Sequence, residues 1–322
     1  MKAMIINSFG DSSVFNQVEL PTPEVISGSV LIKVAATSVN PVDYKIRNGT
    51  HPNLAPAFPA ILHGDVAGTI IAVGEGVDGF KVGDEVYGCA GGLPSIQGAL
   101  ADFMLADARL IAPKPKTISF EQAAALPLVT LTAWEGLFEK VRELKGRKVL
   151  IHAATGGVGH IAIQLAKWAG AEVYATASTS ETKDAINYKQ ESVADYVERL
   201  TNGQGFDVVF DTIGGENIER SFEAAAHYGE VISIQSGGKE SYALGAMHGK
   251  SLSLHFVFML LPMLRNVDRQ RHGEILRKVA ILVDSGKLKP LVDSKHFTFV
   301  QVGAAHDYLE SGKAIGKVVL SR

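Results

Sequence analysis

The chain has 322 residues, 34 acidic and 31 basic side chains, a formal net charge of -3 and one cysteine. That length suits two domains, each able to bury a core, and the near-neutral charge gives no reason to expect nucleic acid or an anionic membrane as a partner. A lone cysteine excludes an intrachain disulfide, and no apolar run approaches the ~20 residues that span a bilayer. The start, Met1-Lys-Ala-Met-Ile-Ile-Asn7, is strand-like and lacks the apolar core of a signal peptide, so a reducing, cytoplasmic location is expected.

In chain order, residues up to about Pro115 read as all-β. Val30–Val34, Gly68–Val73 and Asp84–Tyr87 are short β-branched runs separated by turn signals such as Gly74-Glu-Gly76 and Asp78-Gly79. Ser119-x-x-Gln122 predicts a capping box that starts a helix. Pro127 divides the helical stretch, and Trp134 and Phe138 fall at helical spacing in its second part, as core residues.

From Lys148 the pattern alternates strand and helix. Lys148–Ile151 is a short apolar strand that runs into Ala154-Thr-Gly-Gly-Val-Gly159. The glycine turn opens a helix on which Val158, Ile161, Ala162, Leu165 and Ala169 share one face, and a second strand, Glu172–Ala177, follows. This βαβ order suits a dinucleotide pyrophosphate held at a helix N-terminus, where backbone N–H groups and the helix dipole favour negative charge. Thr155, Gly156, Gly157 and Val158 are the residues that would cradle it. Gly156 permits close approach and Gly159 permits tight helix–strand packing, while Ala154 replaces the first glycine of the usual pattern. Further strands are predicted at Phe206–Ile213 and Gly229–Gln235, a helix around Glu274–Val283, and strands near Phe297–Phe299 and Gly316–Leu320. The basic run Arg265–Lys278, interrupted by Asp268 and Glu274, reads as a solvated helix face rather than an RNA site.

The next strand, Ala185–Tyr188, begins after only the six residues Thr179–Asp184. A parallel crossover needs at least ~10–12 residues, most of them helical. Either the connection is irregular or residues of the natural polypeptide are absent from this sequence, and the length rule favours the second.

The chain resembles the zinc-independent quinone oxidoreductases of the medium-chain dehydrogenase/reductase superfamily, near zeta-crystallin. The marks are Ser38-Val-Asn-Pro-Val-Asp-Tyr44, His63-Gly-Asp-Val-Ala-Gly68, Val82-Gly-Asp-Glu-Val-Tyr-Gly88, Ala154–Gly159, Ile186-Asn-Tyr188 and Phe210-Asp-Thr-Ile-Gly214, in shared order. The resemblance implies an α/β protein in which a GroES-like β-rich catalytic domain (1–122) is completed by a C-terminal return (265–322). A Rossmann-type doubly wound parallel sheet (123–264) is inserted between them.

It also implies site residues. Related alcohol dehydrogenases hold zinc through a cysteine and a histidine where this chain has Asn40 and Gly64, so no metal is expected and simple alcohol oxidation is disfavoured. His63, one residue off register, reads as a satisfied polar residue at a strand end. Hydride transfer to a quinone or an α,β-unsaturated carbonyl remains feasible. Tyr44 is the candidate for holding or protonating the acceptor oxygen, and Asn40 for hydrogen-bonding it or the nicotinamide ribose. Asp43 is expected to organise its loop. The strand end Ala177-Ser178 carries no carboxylate, and with Ser178, Lys183 and Tyr188 it favours NADPH over NADH. Thr130, Gly214, Ser236, Gly237, Phe256, Phe258 and Lys317 complete the implied cofactor set. The partners expected are a small quinone or enone and a second copy of the chain, paired through the edge segment Ser251–Phe258. The alternative reading is an NADPH-binding structural or RNA-associated protein with little turnover.

Overall fold

The computed structural model describes residues 1–178, 185–237 and 241–322. It divides the chain into one unit made of Met1–Leu131 with Leu260–Arg322, and a second made of Thr132–Met259. The unit boundaries therefore differ from the expected 122/123 and 264/265. The physical reason at the first is the helix Phe120–Ala124, which packs on strands of unit 1.

Unit 1 begins with β1 (Lys2–Ile5) and β2 (Asn16–Glu19), an antiparallel pair. There follow β3 (Ser29–Ser38), α1 (Pro41–Arg47), β4 (Asp65–Val73), β5 (Glu85–Cys89), β6 (Phe103–Asp107), β7 (Ile111–Pro113), α2 (Phe120–Ala124) and α3 (Pro127–Phe138), within which the division falls. Unit 2 contains β8 (Lys148–Ile151), α4 (Gly157–Trp168), β9 (Glu172–Ala177), β10 (Ala185–Asn187), α5 (Val193–Thr201), β11 (Phe206–Asp211), α6 (Glu216–Ala224), β12 (Ala225–Ser233), α7 (Gly245–Gly249) and β13 (Ser253–Phe256). The chain returns to unit 1 with α8 (Leu261–Arg265), α9 (Arg269–Asp284), β14 (Phe297–Thr298), α10 (Val302–Glu310) and β15 (Val319–Ser321).

The main sheet of unit 1 runs β14-β15-β3-β4-β5-β7, with β6 also on β3. β6 pairs with the first half of β3, opposite Ser29–Lys33, and β15 pairs with the second half, opposite Ala36–Ser38. That split brings the C-terminal return beside the end of β3, where Val39 N–H donates to Val318 O at 2.9 Å. The all-β reading of this region needs correction, because α1 interrupts it. Its signals are in the sequence: Asn40 at the N-cap, Pro41 at the first helical position and Asp43 two residues later, whose carboxylate accepts from Asn40 N–H at 2.7 Å. The Ser119–Gln122 capping box forms as predicted, and Pro127 opens a new helix.

Unit 2 is an all-parallel sheet in the order β10-β9-β8-β11-β12-β13, the doubly wound order in which the first strand sits beside the fourth. α5 and α6 cover one face, where Tyr196, Ile218 and Phe222 pack with Leu150, Val209 and Val231. Alternation along the strands sends Phe210 and Ile232 to the other face. There α3 approaches so closely that a Cβ on Gly136 would lie 2.3 Å from Phe210. Trp134 is buried against Phe138 and Trp168, as its spacing implied. β13 lies at the edge of the sheet, with Phe256 and Phe258 exposed.

Candidate active site

In unit 1 a buried polar cluster forms where β3 ends, β4 begins and β15 arrives. Asp65, the first residue of β4, is fully buried. One of its oxygens accepts from Leu128 N–H at 2.9 Å, and the other accepts from Ser38 Oγ at 2.7 Å and Asn40 Nδ2 at 2.8 Å. Lys317 Nζ stands 3.7 Å from the same carboxylate and donates to Val39 O at 2.9 Å and to Asn40 Oδ1. Asn40 thus bridges an internal ion pair, one amide atom to each charge, and keeps one amide N–H uncommitted to either.

Burial is the main influence on the titration of this cluster. It lowers the Lys317 ammonium from its ordinary value, opposed by the Asp65 and Asp43 carboxylates. It raises Asp43 to about 7, opposed by the hydrogen bond from Asn40 N–H. The Cys89 thiol is pushed well up by burial and by the neighbouring carboxylates, which keeps it protonated and inert. Tyr44, half-buried on α1, is raised first by burial and then by Glu310, so its phenol stays a proton carrier at neutral pH. Thr130 is fully buried, and its Oγ1 has no hydrogen-bond partner among the described residues. Such an orphan costs about 1–3 kcal/mol and suits a polar group supplied from outside the chain.

His63 is satisfied on both ring nitrogens, in agreement with its reading as a strand-end polar residue. Thr37 Oγ1 donates to Asp65 O at 2.6 Å, so it accepts from His63 Nδ1 at 3.3 Å. His63 Nε2 is then an acceptor, and His306 Nε2–H donates to it at 2.9 Å. Both rings are neutral. Burial lowers His63 to about 3 and His306 well below its usual value.

In unit 2 the implied cofactor residues form a row. Parallel register aligns the C-terminal strand ends: Ile151 opposes Ala175 and Phe210, Asp211 opposes Ser233, and Ser233 opposes Phe256. Thr155–Val158, Ser178, Gly214, Ser236, Gly237 and Phe258 follow these ends, and Phe256 is itself one of them. The α4 N-cap is Gly156, which has no side chain to occupy the first-turn N–H groups. A Cβ on Gly159 would lie 2.1 Å from Ala153 O. The turn is lashed to its neighbours: Ala153 N–H donates to Thr176 Oγ1 at 3.1 Å, Ala154 N–H to Thr176 O at 2.8 Å, and Thr212 Oγ1 to His152 O at 2.9 Å. Asn187 opposes Ala177, so Ser178 and Tyr188 leave adjacent strands side by side, both exposed. Lys183 lies outside the described residues.

The predicted residues therefore separate by unit. Asn40, Tyr44, Thr130 and Lys317 belong to unit 1, with Asn40 and Lys317 in direct contact, and the others belong to unit 2. Asp65 was missed as a site residue. Its signal was a carboxylate opening an apolar strand, a position that burial makes costly without a cation.

Residues 27–116 match the alcohol dehydrogenase GroES-like domain, and residues 181–320 match the zinc-binding dehydrogenase family. The chain is 35% identical to a 2-methylene-furan-3-one reductase of Solanum lycopersicum, covering 99% of this chain and 79% of that protein. It is 30% identical to the quinone oxidoreductase of Rattus norvegicus, over 99% and 97% of the two chains. The Escherichia coli quinone oxidoreductase, solved in complex with NADPH, superposes with a TM-score of 0.88 at 28% identity, covering 100% of both chains. The chain belongs to the quinone oxidoreductase group of the medium-chain dehydrogenase/reductase superfamily. It is an oxidoreductase of that type, with the group's GroES-like domain and Rossmann-like sheet.

Two groups that the superfamily implies differ in how they fit this quinone oxidoreductase homologue. The α4 N-terminus and the aligned strand ends of unit 2 fit a dinucleotide. The residues at the zinc positions do not fit zinc. Asn40 has its amide committed to Asp65 and Lys317, and a Cβ on Gly64 would lie 3.0 Å from both Cys89 Sγ and Gly91 O. The buried cation of this cluster is the Lys317 ammonium. Among the described residues, no helix is long and apolar enough to cross a membrane.

Proposed function

We propose that this oxidoreductase works with NADPH and without zinc, and that its substrate is a quinone or an α,β-unsaturated carbonyl. The observation that supports the reading is the Lys317–Asn40–Asp65 cluster, in which Asn40, at one of the expected zinc-ligand positions, is bonded to a protein cation and its counter-ion. A Lewis acid for alcohol oxidation is then missing, and an acceptor that is already electrophilic is the substrate that suits such a site.

When bound, the reduced nicotinamide supplies the hydride. The chain's own residues bind, orient and handle the proton. Thr155, Gly156, Gly157 and Val158 receive the pyrophosphate with backbone N–H groups, and Gly214, Ser236, Gly237, Phe256 and Phe258 continue the binding edge. Ser178 and Tyr188, with Lys183, take the 2′-phosphate, since the strand ends they follow carry no carboxylate to repel it. Thr130 offers its unpaired hydroxyl to the nicotinamide side. Asn40 holds its remaining amide N–H toward the acceptor oxygen or the ribose. The Tyr44 phenol holds that oxygen and donates the proton that balances the hydride, with water returning the proton to Tyr44. A second copy paired along β13 and a cytoplasmic location belong to the same reading.

The test is NADPH oxidation against a panel of quinones and enals, run with and without a metal chelator and paired with metal analysis. Turnover retained in chelator is the expected result. Stoichiometric zinc with activity lost on its removal would overturn the mechanism, and cofactor binding without turnover on any acceptor would favour a structural or RNA-associated role.

A further inference from the structure

A groove of about 500 Å3 opens on unit 1, and it shares no residue with Asn40, Tyr44, Thr130 or Lys317. Its lining is mixed polar and apolar, and Ile26, Phe80 and Leu105, all at least partly open to solvent, belong to the apolar part. Its rim carries three guanidinium groups, those of Arg109, Arg269 and Arg277, against the carboxylates of Asp78 and Asp107.

The charges are arranged, not scattered. Asp107 accepts from Arg109 Nε at 3.0 Å and Nη2 at 2.7 Å, and from Arg269 Nη1 at 2.9 Å, so its charge is spent in fixing both guanidiniums. Arg269 sends its other donors to Pro262 O and Met263 O, which makes it structural. Arg109 retains Nη1. Arg277 is exposed on α9 and has no hydrogen-bond or ion-pair partner among the described residues, so all its donors are available. Three positive and two negative side chains leave one positive charge beside an apolar wall. Concave sites of roughly 300–1,000 Å3, mostly apolar with a few convergent polar groups, are where small molecules bind.

We propose that this groove is a second, non-catalytic binding site for an amphipathic organic anion, an aromatic or acyl body bearing a single carboxylate. The carboxylate pairs with Arg277 and Arg109 in the forked geometry that guanidinium offers, and the body covers Ile26, Phe80 and Leu105. Arg277, in the basic run Arg265–Lys278, thereby acquires a role that a solvated face does not give it. The proposal does not depend on the reductase reading.

The experiment is a fluorescence titration of the full chain with 8-anilinonaphthalene-1-sulfonate at saturating NADP+, with decanoate as competitor. One saturable site is expected, displaced by decanoate and weakened about tenfold or more in Arg277→Glu, the worth of a charge-assisted hydrogen bond. Quinone turnover should be unchanged in the variant. Arg277→Gln repeats the test should charge reversal disturb α9. Unchanged affinity in both variants would overturn the proposal. So would equal binding of the uncharged N-phenyl-1-naphthylamine, or displacement of the probe by inorganic phosphate as readily as by decanoate. Loss of the probe signal on adding NADP+ would place the probe in the dinucleotide site and overturn it too.

Discussion

Replacing Lys317 by Met removes the ammonium but keeps most of the apolar stem, which isolates the charge of the buried Lys317–Asp65 pair. At 3.7 Å and an effective dielectric constant of about 20, the attraction lost is about 4.5 kcal/mol. The variant no longer has to desolvate an ammonium, but Asp65 is left as a buried carboxylate with only the neutral donors Ser38, Asn40 and Leu128. Breaking one side of a buried pair typically costs about 3–5 kcal/mol, and unit 1 should lose stability in that range. Asp65→Asn in the same background should restore much of it, giving a coupling energy of at least about 2 kcal/mol in the double-mutant cycle. Both tryptophans, Trp134 and Trp168, lie in unit 2, so tryptophan fluorescence follows the wrong unit. Hydrogen exchange of peptides from β3 and β4 under denaturant reads the right one. A coupling below about 1 kcal/mol would refute the view that this pair is an interacting internal charge couple.

Three further outcomes are expected. His63 at about 3, His152 at about 4 and His306, lowered well below 6.5, are neutral when folded and each take up a proton on unfolding below about pH 6.5. Asp43, raised to about 7, instead loses one on unfolding above about pH 4. Between about pH 5 and 6 the balance is two protons taken up, so stability should fall on acidification by about 2.7 kcal/mol per pH unit, and His306→Gln should halve the slope; thermal melts that do not move between pH 6 and 5 would contradict this. NADPH should bind more tightly than NADH, and Ser178→Asp should erase or reverse the preference; equal wild-type dissociation constants would remove the assignment of the 2′-phosphate to Ser178 and Tyr188. Sedimentation should show a dimer at micromolar concentration, because β13 would otherwise leave an unpaired, apolar sheet edge, and a monomer would count against that pairing.

What the sequence discloses depends on how local the interaction is. The βαβ unit was readable because its strand, glycine turn and helix lie within about thirty residues and each element has its own periodicity. The Ser119–Gln122 cap was readable for the same reason. Helix α1 was equally local, but its Asn-Pro-x-Asp start was absorbed into an all-β reading by the strands around it. The polar cluster was not legible as a cluster. Asp65 meets Lys317 only because β15 pairs with the second half of β3, and His63 meets His306 across 243 positions. Neither the ion pair nor the neutral histidine pair has a periodicity to detect. Asn40 and Lys317 could be named from resemblance, but not that one amide bridges Asp65 and Lys317.

The connection between β9 and β10 draws these lines together. Six residues cannot build a crossover helix, yet the register of the flanking strands reduces what the connection must do. Ala185 opposes Ala175 and Asn187 opposes Ala177, so the chain has to retreat by only two residues of rise, roughly 7 Å, and step sideways by about 5 Å. Residues 179–184 themselves lie outside the described residues. The length rule alone therefore does not decide between an irregular connection and absent residues. A second observation does bear on it. The match to the tomato reductase extends over 337 positions whereas this chain has 322 residues, so that relative has residues with no counterpart here. A doubly wound sheet ordinarily carries a crossover helix between its second and third strands. Additional residues between Ser178 and Ala185 are therefore expected in the polypeptide as its cell makes it, detectable by intact mass and by sequencing the coding DNA across this point. A continuous Ser178–Ala185 segment in that polypeptide, with NADPH bound at full affinity, would refute the expectation. The short strand β10 would then stand as this chain's own way of closing the adenosine side of the sheet.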